Sequence, residues 1–244
     1  MSSFVELWVY LSATPLFGLT ATLTVYVLAV AGYERLGRAP WANPVLVSVL
    51  LLGGLLVLSD TAYPTYFSGA QFIHFLLGPA VVALAWPLWQ KRDELRQRAG
   101  PLLAAALAGG LCAAGSAVGL GWLLGLPPEV LASLAPKSVT APVAMGLAEP
   151  LGGIAALAAV FAVLTGLIGA ICAKPLFDLL GIHRPELRGF AIGTTSHGLG
   201  AARAWQVHPD AGAYASLALG LQVLLTSLLL PLLYRWLVAP SAHP

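Results

Sequence analysis

Charge is scarce in this chain. Asp, Glu, Lys and Arg make up 9% of its 244 residues, against 59% hydrophobic residues. A soluble domain carries about 25% charged residues, so a soluble fold is excluded, and the mean hydropathy of +0.86 agrees. Cysteine is almost missing. Cys112 and Cys172 lie inside apolar runs at a spacing that suits neither a metal nor a disulfide framework, which predicts small buried hydrophobes. There is no HExxH and no GxSxG, so these two hydrolase signatures are absent. A net charge of +2 without a basic stripe argues against nucleic acid as a partner. No metal or other cofactor is expected. The N-terminus lacks a basic stretch and an A-x-A-like site before its long apolar run, which therefore reads as a retained transmembrane helix rather than a signal peptide.

What is present is a series of apolar runs near the roughly 20 residues that cross a bilayer. Spans are expected over about 4–31, 43–60, 70–89, 102–126, 153–173 and 214–237. Asn43-Pro44 should start the second. TAYPTYFSG (61–69), KRDELRQR (91–98) and HPDAG (208–212) read as loops or turns. His74, alone in the third span, reads as a packing residue. The fold class is all-α and polytopic, with about six transmembrane helices plus two discontinuous or re-entrant segments.

Those two segments resemble each other. PPEVLASLAPKSVTAPVAM (127–145) and RPELRGFAIGTTSHGLGAA (184–202) each pair Pro-Glu with a short apolar run, then a break rich in Pro or Gly and hydroxyls. Upstream, WLLGLPPE matches DLLGIHRPE with a one-residue gap, giving repeat units of about 101–150 and 153–207 within one domain. Lys and Arg favour the cytoplasmic side. Arg35, Arg38, Lys91, Arg92, Arg96 and Arg98 share it with Lys174, Arg184 and Arg188 only if the first broken segment returns to the side it entered. The two units are then inverted copies; if both segments cross fully, the repeat is parallel.

The breaks are where chemistry can sit. Pro136 and Pro142 remove helix donors, and Gly193, Gly198 and Gly200 loosen the second segment. Freed backbone groups in lipid need partners or a wet cavity, and Ser138, Thr140, Thr194, Thr195 and Ser196 are placed to supply them. Half-helix N-termini present N–H groups that suit a carboxylate, and interrupted paired segments are a pointer to a transport site. Lys137, His197 and Arg203 add charge or titration, each at about 2.5–3.5 kcal/mol if ionised at mid-helix. Arg203 either approaches the site or snorkels, and the same choice holds for Lys137. His197 is either a capping hydrogen-bonder or a proton carrier. Glu129 and Glu186 suit helix N-termini. Gly109, Gly110, Gly115, Gly166 and Gly169 read as close-packing positions without chemistry. Ser196 and His197 are helix neighbours and cannot pair as nucleophile and base; Ser138 with His197 can, if the breaks meet.

APKSVTAPVAM, LGGIAALAAVFAVLTGLIGA, RGFAIGTTSHGLGAARA and AYASLALG, with ANPVLV and LLGPAVVALAWPL, resemble the LrgB/CidB family over about 43–230. Departures include Ala141 for a threonine, Thr195 for an alanine, Gly198 for an alanine and Ala201 for a threonine. Ala155, Ala211 and Ala215 also differ from the family pattern, while Ser138, Thr140, Thr194, Ser196, His197 and Arg203 remain. The resemblance implies a multi-pass protein of the bacterial plasma membrane and a small carboxylate substrate such as glycolate, glycerate or pyruvate. It implies substrate contact by the residues of the two breaks, proton coupling at His197, and no enzymatic activity. It also implies an alternative: an antiholin-like regulator of murein hydrolase export and lysis, acting with a small LrgA/CidA-like membrane protein. A homo-oligomer fits either.

Overall fold

The computed structural model describes residues 15–37, 39, 42–83, 85–90 and 92–238, and every regular element among them is helical. The chain divides into two compact units, 1–85 and 86–244. Residues 4–14 of the expected first span, Arg38, Lys91 and the side chain of His74 lie outside the described residues.

The first unit holds α1 (Pro15–Arg35), α2 (Pro44–Leu58) and α3 (Tyr63–Ala83). Asn43 starts α2 as expected: its Oδ1 accepts from the amides of Val45 and Leu46 at 2.9 and 3.4 Å, and Pro44 needs no amide partner. TAYPTYFSG is not a loop, because α3 begins at Tyr63. Pro64 falls in the first turn, where no donor is required. Tyr66 shares a hydrogen bond with Thr22 at 2.7 Å, and Tyr63 stacks on Phe67 at 5.7 Å. Gly18 lets α1 lie against the backbone of Tyr66 and Ala70.

The second unit begins one residue into α4 (Ala85–Gln90) and runs through α5 (Arg92–Gln97), α6 (Ala99–Leu123), α7 (Pro128–Leu134), α8 (Ala141–Ala148), a 3₁₀ turn (Glu149–Leu151), α9 (Ala155–Leu179), α10 (Pro185–Val207) and α11 (Pro209–Val238). KRDELRQR is partly helical, with Asp93 and Glu94 in the first turn of α5 and Arg96 in the last, the signs that suit the helix dipole. HPDAG is the start of α11 rather than a turn: Pro209 opens the helix and His208 Nδ1 accepts from the Asp210 amide at 3.1 Å. Cys112 and Cys172 are exposed, on outward faces of α6 and α9, and not buried as expected.

The matched units share local geometry. The helices α6 and α9 are both 25 residues long. Each ends in the same turn, with Gly125 at φ +72° and Gly181 at φ +66°. The Leu126 amide returns to the Gly121 carbonyl and the Ile182 amide to Phe177, as in a Schellman end. Pro128-Glu129 and Pro185-Glu186 then open the next helices.

Both following segments double back. In the second, a Cβ at Gly200 would sit 2.6 Å from the Ile192 carbonyl oxygen. On a straight helix residues eight positions apart are separated by about 12 Å, so the chain reverses between them, and Ile192 shares a buried cluster with Ala201 and Ala204. In the first, Ser133 Oγ accepts from the Ile154 amide at 2.7 Å and Gly153 lies against the Ala132–Ser133 backbone, which sets the two limbs side by side. The hairpins are based at opposite ends of α11. Tyr234 OH donates to the Pro128 carbonyl at 3.3 Å, while Gly189 lies against Ala211 and Tyr214 OH donates to Glu94 Oε1 at 2.7 Å. Tyr214 to Tyr234 covers about 30 Å of helix, the thickness of a hydrocarbon core.

Among the described residues four helices are long and apolar enough to cross a membrane: Leu16–Arg35, Ala99–Leu123, Ala155–Leu179 and Pro209–Tyr234. Of the other two expected spans, α2 has only 15 residues and α3 carries Thr65, Ser68, Gln71 and His74. A Cβ at Gly193 would meet the Ala215 backbone, whereas one at Gly115 meets nothing within 4 Å. Gly193→Ala should therefore destabilise the detergent-solubilised protein by about 1–3 kcal/mol, read as a lowered melting temperature, while Gly115→Ala leaves it unchanged; equal melting of both variants would refute this packing.

Candidate functional site

The first break follows from two prolines. After α7 the chain makes tight turns, with the Lys137 amide on the Leu134 carbonyl and the Val139 amide on Pro136, both at 3.2 Å. Pro142 lies in the first turn of α8, and Thr140 is extended at φ −63°, ψ 149°. Val139 is fully buried among Ala144, Ala148, Ala158 and Ala162. Ser138 is 8% exposed, yet its Oγ has no hydrogen-bond partner among the described residues. Lys137 and Thr140 are half-buried beside it.

The second break is a single residue. His197 has φ 42° and ψ −133°, a left-handed setting that side chains avoid at a cost of about 1–3 kcal/mol. It is 4% exposed, and its Nε2 donates to the Ala162 carbonyl at 2.8 Å. A carbonyl only accepts, so Nε2 carries the proton. The spacing from Glu186 to His197 equals that from Glu129 to Thr140, so the two non-helical residues occupy the same register.

Around His197 the hydroxyls divide. Thr194 is buried and donates to the Phe190 carbonyl at 2.8 Å. Thr195 is exposed, donates to the Ala191 carbonyl at 3.0 Å and shares a 3.3 Å contact with Ser196 Oγ. Ser196 is fully buried against Gly169. Gly166 accommodates the imidazole: a Cβ there would sit 2.8 Å from His197 Cε1. Gly109 does the same for the Thr194 methyl group. The close-packing reading of these glycines thus holds, and their neighbours are the residues of the break. Gly115 touches nothing.

Seven of the eight expected residues stand at two breaks that both pack on α9. Val139 belongs to the buried cluster that holds Ala158 and Ala162, and His197 bonds the Ala162 carbonyl. Arg203 is elsewhere: it lines a cavity with Lys174 and Arg188 and donates to Gln206 at 3.4 Å. Ser138 and His197 are not hydrogen-bonded to each other. No cluster of three or more His, Cys, Asp or Glu that could hold a metal occurs among the described residues. Sequence reasoning missed Gln222 on α11, which is 1% exposed with both amide atoms unpartnered among the described residues. Its signal was available, as a lone amide inside the last apolar run. It missed the Ala162 carbonyl too, and no side-chain pattern signals a backbone acceptor.

Strain and hydrogen bond at His197 are separable. His197→Gly removes both; His197→Ala removes only the bond and keeps the strain. His197→Ala should melt lower than His197→Gly, by the equivalent of about 1 kcal/mol; the reverse order would show that the residue is not held in the left-handed setting.

With this geometry in place, relatives can be compared. A protein of Haemophilus influenzae named only as uncharacterized is 35% identical over 193 residues, covering 79% of this chain and 84% of its own. The Bacillus subtilis protein YwbG, also uncharacterized, is 32% identical over 216 residues, covering 88% and 96%. A Staphylococcus aureus protein named holin-like protein CidB is 29% identical over 202 residues, covering 80% and 85%. No solved structure matches. The model of the LrgB-like family matches residues 22–236, and the chain belongs to that family.

Proposed function

We propose that this membrane protein is a secondary carrier of small monocarboxylates or hydroxycarboxylates of the glycolate, glycerate or pyruvate type. The observation that carries the reading is that two broken hairpins, based at opposite ends of α11, both pack on the stretch of α9 around Ala158 and Ala162. In a bilayer such hairpins are re-entrant, and their units form an inverted pair, the architecture in which half-helix N-termini face an anionic substrate at mid-membrane. The basic end agrees. Arg92, Arg96 and Arg98 flank Glu94, which bonds Tyr214, and Arg188 is next to Gly189, which packs on Ala211. These cations share one end of α11, which the positive-inside rule makes cytoplasmic in a bacterial plasma membrane.

The substrate carboxylate would take N–H groups at the start of α8 and the hydroxyls of Ser138, Thr140, Thr195 and Ser196, with Thr194 supporting the second break and Lys137 balancing charge. The unpartnered Ser138 Oγ supports this assignment, because a buried hydroxyl left unpaired costs about 1–3 kcal/mol. His197, with Nε2 committed to Ala162, has Nδ1 as its titrating atom and is the candidate for proton coupling. Arg203 follows His197 by six residues and lines the cavity with Lys174 and Arg188, where its charge serves the approach.

A second reading draws on the name of the Staphylococcus aureus relative. In it the protein regulates murein hydrolase export and lysis through a small holin-like membrane partner. The large hydrophobic side chains exposed on α6 and α9, such as Leu111, Leu120, Leu164 and Ile168, suit lipid, a partner helix or a second copy.

Reconstituted protein should take up radiolabelled glycolate or pyruvate, and Ser138→Ala should cut uptake by about tenfold, the equivalent of one charge-assisted hydrogen bond. Folded protein that moves neither acid would sink the carrier reading. A lysis phenotype that survives Ser138→Ala and His197→Ala would favour the regulator. Topology is tested separately in protein lacking Cys112 and Cys172: Leu126→Cys should label from outside and Leu180→Cys from the cytoplasm. Labelling of both from one face would refute the inverted pair.

A further inference from the structure

Between the two limbs of the second hairpin, α9 and the start of α11 lies a cavity of about 270 Å³. Its floor is apolar, formed by Ala170, Ile192 and Ala204. Its rim is basic, with Lys174, His183, Arg188, Arg203 and His208. The floor stops one helical turn short of the break: Ile192 precedes Ser196 by four residues, and Ala170 follows Gly169, on which Ser196 packs.

The rim is built rather than merely basic. Arg188 donates to the Ile182 carbonyl at 2.5 Å, pairs with Asp178 at 2.5 Å and stands over the Phe177 ring at 5.7 Å. Its side chain is only 21% exposed. Lys174 pairs with the other oxygen of Asp178 at 2.8 Å. One carboxylate therefore orients two cations from α9 and the first limb, and Arg203 adds a third from the second limb. The net charge at the rim stays positive. A positive-inside bias alone places cations on loops; here Lys174, Arg188 and Arg203 line a partly open cavity whose apolar residues lie one turn from the break.

We propose that this cavity is an anion vestibule, which binds a small free carboxylate at the basic end before it reaches Ser196 and His197. Its role on a pathway rests on the carrier reading, but its binding can be measured without transport. The rim chemistry also suits an anionic lipid headgroup, so the experiment separates the two. The small apolar floor favours a free acid with a short carbon skeleton over a headgroup attached to a chain.

Val207 lines the cavity, so Val207→Cys in full-length protein lacking Cys112 and Cys172, held in phosphatidylcholine nanodiscs, reports on it directly. A thiosulfonate reagent bearing a sulfonate should react at least about tenfold faster than one bearing a trimethylammonium group, since a basic concavity concentrates anions. Pyruvate should slow both reagents, and Arg203→Gln should bring the two rates together. Lys174→Gln serves as a second variant if Arg203→Gln melts below the parent. Equal rates for the two reagents, or no protection by pyruvate, would overturn the proposal. So would protection by phosphatidylglycerol equal to that by pyruvate, which assigns the cavity to lipid. Protection by pyruvate in a protein that transports nothing would support the site while defeating the carrier reading.

Discussion

The second hairpin depends on the hydrogen bond from His197 Nε2 to the Ala162 carbonyl. A helix carbonyl has two lone pairs and the helix uses one, so Ala162 can accept from outside provided nothing covers it. The residue that would cover it is Gly166, one turn on, where a Cβ would collide with the imidazole. A bare patch on α9 therefore fixes where the chain reverses, and hence where Thr194, Thr195 and Ser196 are presented. It also pins the second break to the helix against which Val139 of the first break packs.

This arrangement sets the character of the interior. The fully buried positions of the second unit are mostly small, including Ala106, Ala132, Ala144, Ala158, Ala162 and Ser196, while many of its large side chains, such as Leu111, Leu120, Trp122, Leu164 and Ile168, face outward. A water-soluble core has the opposite pattern. In lipid the outward faces gain nothing by burial against each other, so cohesion comes from close backbone approach and buried hydrogen bonds. Gly189 and Gly193 against Ala211 and Ala215, and Ser133 between Glu129 and Ile154, are the contacts of that kind.

Much of this was readable in the sequence where local chemistry decides. Asn43-Pro44 is a helix start by itself, the LLG…PE pairs encode the Schellman turn and the following helix, and Pro136 and Pro142 announce the first break. The errors have physical causes. TAYPTYFSG, KRDELRQR and HPDAG contain residues that suit turns and helix N-termini equally, and the helix wins where a first-turn proline, an acidic first turn or a histidine cap satisfies the end. The cysteines were placed by composition, which is apolar on both faces of a membrane helix and so does not say which face is buried. Arg203 was left either approaching the site or snorkelling, and the fold-back of its helix sets it in the cavity with Lys174 and Arg188. That reversal was not legible, because its acceptor is a backbone oxygen on another helix.

The two breaks stand at the same register but are held by different means, and the difference bears on which can move. The first contains Pro136 and Pro142, and a proline inside a helix costs about 3 kcal/mol, so Ala135–Thr140 cannot become a continuous helix cheaply. The second contains no proline. Its left-handed residue costs about 1–3 kcal/mol, against which stands one buried hydrogen bond with a net contribution of about 0.5–1.5 kcal/mol, together with the packing of Ser196 and Ile192. These opposing contributions are of the same size. The first hairpin is fixed by covalent structure, and the second by a hydrogen bond to a titratable ring. Of the pair, the copy carrying His197 is the one that a small change in free energy can reshape.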